Sequence, residues 1–181
     1  MAEKKETYVT TSENAMTITR IVNANREMVF EAFTNAEQLA QWFGPRIFSA
    51  TAEIDPKVGG KFRCSLYGDV NGPEEFRGPF TMKGEYLEFK RPELIVQTSD
   101  VTGHPDWWMK QMQENIPNYS GQDFLRSILT VSFEEVDANT TKVSITSTFA
   151  SNEVRDVYLK TGGADGWSEG LDQLEELLEG K

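Results

Sequence analysis

The sequence predicts an α+β fold in which about six to seven antiparallel strands form a sheet covered by a long C-terminal helix. Three observations carry this. Trp167, Leu171, Leu174 and Leu178 recur at helical spacing and fall on one stripe of a closing helix. Between Ile47 and Phe149 the apolar period changes to two, and the stretch carries Phe48, Phe62, Phe76, Phe80, Phe89, Phe133 and Phe149. That is more aromatic volume than a thin two-layer core requires, and a helix over a curved sheet with such bulky residues suggests an apolar pocket. Two short helical patterns follow the first strand.

Residues 1–13 are polar and unpatterned, and read as a flexible arm before a single domain spanning 14–181. Met16, Ile18, Ile21 and Val22, set among Thr17, Thr19 and Arg20, make a β-branched first strand that Asn23 and Asn25 stop. Asn25 caps a helix with Val29, Phe30 and Phe33 inward. Asn35 opens a second helix through Leu39 to Trp42, ended by Gly44 and Pro45. Ile47 to Ile54 forms the next strand. Gly59 and Gly60 break the chain and supply a positive φ at a turn or bulge, because a strand follows and a phosphate cradle would need a helix. Phe62, Cys64 and Leu66 alternate with Lys61, Arg63 and Ser65. Phe76 to Phe89 reads as a longer strand interrupted at Gly78-Pro79 and Gly84, with a corner at Arg91-Pro92-Glu93 before Leu94 to Ser99. Ser127 to Val136 and Lys142 to Phe149 form a hairpin around Asp137 to Thr140, and helices follow over 152–160 and 165–179.

The stretch Val101 to Leu125 breaks the rhythm as an insertion too long for a hairpin loop. It holds Trp107, Trp108, Met109, Met112 and the only histidine, with Asp106 placed to cap a short helix.

With 181 residues, one core suffices. The 18 Lys plus Arg against 29 Asp plus Glu give a net charge of -11, which argues against a nucleic-acid or anionic-membrane surface. A single cysteine excludes an internal disulfide and a Cys-based zinc site and fits a reducing cytosol. No apolar run approaches the ~20 residues of a membrane span. A soluble cytoplasmic chain without metal or cofactor is expected.

Four segments together resemble the activator of Hsp90 ATPase homologue group of the START-like, Bet v 1-type helix-grip superfamily. They are ITRIVNANREMVFEAFTNAEQLAQWFGP at 18–45, DPKVGGKFRC at 55–64, FRGPFTMKGEYLEFKRPELIVQT at 76–98 and GGADGWSEGLDQLEELL at 162–178. The resemblance implies a strongly bent antiparallel sheet gripping the C-terminal helix, with a cavity between them. Val101 to Leu125 is longer and more aromatic than the connection usual in the family. Relatives range over small-molecule binders, aromatases and cyclases, resistance proteins and a co-chaperone domain, so the fold by itself names no activity.

The cavity candidates are Trp42, Phe43, Phe62, Cys64, Phe76, Phe80, Trp107, Trp108, Met112, Trp167 and Leu171. Trp42 and Phe43 either close one end of the cavity or anchor the two short helices as core. Trp167 either lines the cavity, with Gly163 and Gly166 leaving space beside its ring, or simply packs. Trp167 and Phe62 are expected to border one space. Trp107 and Trp108 are adjacent and must divide, one inward over the cavity mouth and one outward. His104 and Asp106 would be an acid–base pair only if both faced inward, and Gly103 and Pro105 place the histidine on a solvent-facing turn. Cys64 has no neighbouring base and reads as core filling. No catalytic residue or metal ligand stands out. The leading expectation is a binder of a small apolar or aromatic ligand. The alternatives are a cyclase or hydrolase using the same cavity, and an interaction module meeting a chaperone or a second copy through the Trp107 segment.

Overall fold

The computed structural model describes residues 6–116 and 125–180. The chain runs β1 (Tyr8–Ser12), β2 (Ala15–Val22), α1 (Arg26–Thr34), α2 (Ala36–Trp42), β3 (Ser49–Ile54), β4 (Lys61–Tyr67), β5 (Phe80–Lys90) and β6 (Leu94–Asp100). It continues through α3 (Asp106–Asn115), β7 (Arg126–Asp137), β8 (Thr140–Thr148), α4 (Asn152–Lys160) and α5 (Gly163–Glu179). All eight strands join one antiparallel sheet in the order β1-β2-β8-β7-β6-β5-β4-β3. This is the helix-grip architecture, with one strand more than the sequence suggested.

The extra strand corrects the expected arm. Residues 8–12 pair with β2, Tyr8 opposite Thr19 and Ser12 opposite Ala15, across a turn where Glu13 takes a φ of 41°. Every side chain of β1 is exposed. Backbone hydrogen bonds hold it without burial, so no apolar alternation marks it in the sequence. Residues 1–5 of the expected arm and 117–124 of the insertion lie outside the described residues.

Local chemistry explains the helices. The Asn25 side chain accepts from the Met28 N–H at 2.9 Å, and that of Asn35 from the Gln38 N–H at 3.0 Å, so each satisfies an orphan donor of the first turn. Asp106 opens α3 as its first residue; Pro105 holds the cap position without a side-chain hydrogen bond. Gly84 does not interrupt β5. It stays paired with Phe62, and a Cβ there would lie 1.9 Å from the Thr98 carbonyl oxygen, so only glycine fits. The irregularity falls between Tyr86 and Glu88 instead.

Alternate residues of β2, β7 and β8 face the core, and α5 lays Leu171, Leu174 and Leu178 against them. Each fully buried leucine contributes about 1.5–3 kcal/mol. Gly170 lets α5 come close, because a Cβ there would meet the Trp42 carbonyl oxygen at 3.2 Å. One charge sits in this apolar layer. Arg20 of β2 is fully buried and pairs with Asp172 and Glu175 of α5.

Candidate functional site

A cavity of about 290 Å³ lies where the N-terminal end of α5 leaves the sheet. Its walls come from the α2–β3 connection (Phe43, Phe48), from β5 (Phe80, Met82), from the α3 segment (His104, Trp107, Trp108) and from the α4–α5 junction (Tyr158, Trp167). Beneath it a void of about 40 Å³ shares Met82, Val101, Trp108, Tyr158 and Trp167 and reaches Met112. Among the described residues, those lining either space carry no carboxylate, ammonium or guanidinium group.

The aromatic contacts grade from core to cavity. Trp42 is 1% exposed, packs on Phe33 at 4.6 Å and donates its indole N–H to the Ala32 carbonyl at 2.9 Å. It touches neither space, which makes it the anchor of α1 on α2. Phe43 is the link outward, meeting Trp42 at 6.2 Å and Trp167 edge-on at 5.7 Å. Phe80 meets Phe48 at 5.4 Å and Trp107 at 6.0 Å, all edge-on.

Of the residues singled out in the sequence, the structure thus gathers Phe43, Phe76, Phe80, Trp107, Trp108 and Trp167 at the cavity, with Met112 at its floor. Trp42, Cys64 and Leu171 are core. The Cys64 thiol is pushed up to about 12 by burial, which removes it as a nucleophile. Phe62 packs against Tyr86 with its ring tilted by 43° and borders a different, charged depression with Glu53, Arg63, Lys83, Asp100 and Arg126. Trp167 and Phe62 therefore do not border one space, since Trp167 lines the cavity and the void beneath it and Phe62 lines neither.

Trp107 is 40% exposed while Trp108 packs on the core, the division that two adjacent helical indoles require. Gly163 leaves room for a different ring than expected: a Cβ there would sit 2.1 Å from Tyr158, not beside Trp167. Gly166 does face the cavity, with Pro45 its nearest neighbour at 3.7 Å.

His104 departs most from expectation. Instead of facing solvent, its ring lies 4.4 Å from Trp108 and edge-on to Phe80, with Nδ1 3.1 Å from the Thr81 carbonyl oxygen. Burial pushes its pKa down to about 4, only partly opposed by the bond to Thr81, so the imidazole is neutral. Burial likewise raises the Tyr158 phenol, offset in part by a hydrogen bond from Trp167. Sequence reading missed Tyr158, although Val154, Val157 and Tyr158 form the inward stripe of α4 and its helical period points there.

Among the described residues no cluster of His, Cys, Asp or Glu could hold a metal ion, and no helix is long and apolar enough to cross a membrane. Residues 23–179 match the family described as "Activator of Hsp90 ATPase homolog 1-like protein". No curated protein matches the chain. Several solved structures share its fold. A protein of Arthrobacter aurescens is 20% identical with a TM-score of 0.72, covering 96% of this chain and 92% of that one. One of Nitrosomonas europaea is 21% identical with a TM-score of 0.71, covering 94% and 97%. One of Rhodobacter sphaeroides is 17% identical with a TM-score of 0.75, covering 97% and 100%.

Proposed function

This chain belongs to the activator of Hsp90 ATPase homolog 1-like family, whose fold points to a ligand-binding or chaperone-associated role, and from that premise we propose that it binds a small apolar or aromatic compound. The observation that carries this reading is the uncharged aromatic cavity of about 290 Å³ between the sheet and α5. An apolar cavity of ~150 Å³ holds a benzene ring, so this one admits a somewhat larger compound. Eight Phe, Trp and Tyr side chains around it would bury most of such a ligand's surface.

The same lining argues against a cyclase or hydrolase. Such chemistry needs a proton acceptor or donor tuned near neutral pH, whereas burial weakens both His104 as a base and Tyr158 as an acid.

Titration with N-phenyl-1-naphthylamine, an uncharged fluorescent probe, tests the reading. Saturable enhancement that Gly166→Leu weakens supports it. The absence of saturable binding, or binding that Gly166→Leu leaves unchanged, overturns it.

A further inference from the structure

His104 places the one imidazole of the chain in the aromatic wall, and its hydrogen bond sets its orientation. Nδ1 faces the Thr81 carbonyl oxygen at 3.1 Å. A carbonyl only accepts, so Nδ1 carries the proton and Nε2 keeps its lone pair. The ring packs against Trp108 at 4.4 Å and meets Phe80 edge-on at 5.6 Å. Among the described residues no hydrogen bond to Nε2 is found beside the one that Nδ1 makes. The ring lines the cavity.

An acceptor set in an apolar wall selects its partner. An occupant without a donor would strip Nε2 of water and give nothing back, which costs affinity. A carboxylate would oppose its own lone pairs to that of Nε2. It would also enter a site whose described lining offers no cation. An ammonium would lose its hydration with no carboxylate to replace it. What remains is a neutral donor on a flat apolar body.

Resting on the binding role proposed above, the geometry points to a neutral hydroxylated aromatic compound of about two rings, whose hydroxyl donates to His104 Nε2 while its rings pack between Phe80, Trp108 and Trp167. His104 is then the residue that sets specificity within a cavity lined mostly by apolar side chains.

Calorimetry with 2-naphthol, 2-methoxynaphthalene and 2-naphthoate separates the outcomes, using the parent protein and His104→Phe. In the parent, 2-naphthol binds about 3- to 10-fold tighter than its methyl ether, the range of one neutral hydrogen bond. The two ligands bind His104→Phe alike. Because the chain has a single histidine, the 15N resonance of Nε2 is unambiguous, and it shifts with 2-naphthol but not with the ether. Equal binding of alcohol and ether by the parent overturns the assignment while leaving ligand binding intact, as does tightest binding of 2-naphthoate. The parent comparison stands even if His104→Phe fails to fold. If none of the three compounds binds, the proposed function falls and the assignment with it.

Discussion

The guanidinium of Arg20, fully buried in β2, forms an ion pair with Asp172 of α5 and a second with Glu175 at 3.1 Å. Its Nε also donates to the Thr7 hydroxyl at 3.0 Å, and Nη2 to the Ser168 carbonyl. One side chain thus fastens the grip helix to the sheet. Arg20→Met removes a cation beside two largely buried carboxylates and should lower stability by about 3–5 kcal/mol. Urea unfolding measures this, and a loss below about 1 kcal/mol would mean the pair adds little.

Two tryptophans in contact with Phe43 should respond differently to truncation. Trp42→Ala leaves a void in a packed core and should cost about 3–5 kcal/mol. Trp167→Ala enlarges a space that already exists and should cost about 1–2 kcal/mol, visible as a clearly smaller drop in Tm.

Two glycines of α5, three positions apart, should behave oppositely. At Gly163 a methyl would lie 2.1 Å from the Tyr158 ring, so Gly163→Ala should cost about 1–3 kcal/mol. At Gly166 the nearest atom is 3.7 Å away, and Gly166→Ala should stabilise by up to about 1 kcal/mol through helix propensity. Paired denaturation curves decide it.

Stability should depend on pH through His104. Its folded pKa of about 4 lies below the ordinary 6.5, so between these values the unfolded chain binds the proton and the folded one does not. The stability it contributes is complete above pH 6.5 and falls as the pH drops toward 4, by on the order of 3 kcal/mol in all. The difference in unfolding free energy between the parent and His104→Phe should therefore shrink by most of that amount from pH 7 to pH 4. A constant difference would show that the histidine titrates normally.

Trp107, 40% exposed and edge-on to Phe80, closes the outer side of the cavity. Trp107→Ser should quicken release of N-phenyl-1-naphthylamine in stopped-flow fluorescence without changing the mass in solution. A fall in mass would instead assign the exposed indole to an interface between copies.

Whatever depends on local period and local caps can be read from the residues in order. The two Asn-capped helices, the alternation in β4, the α5 stripe and the hairpin at Asp137 to Thr140 were all legible, since a side chain's face follows from spacing alone. So were six aromatic residues of the cavity wall. Tertiary structure decided the rest. β1 carries no buried face, so its pairing leaves no periodic trace. Arg20 occupies an inward position in an apolar stripe, and its carboxylate partners lie about 150 residues away on α5. Phe62 and Trp167 both read as inward, but which cavity each borders depends on how the sheet bends around α5. His104 reads as a turn residue between Gly103 and Pro105, yet Phe80 and Trp108 close over it. Burial is a property of the surroundings, and the groups that bury His104 come together only when the segment before α3 packs against β5.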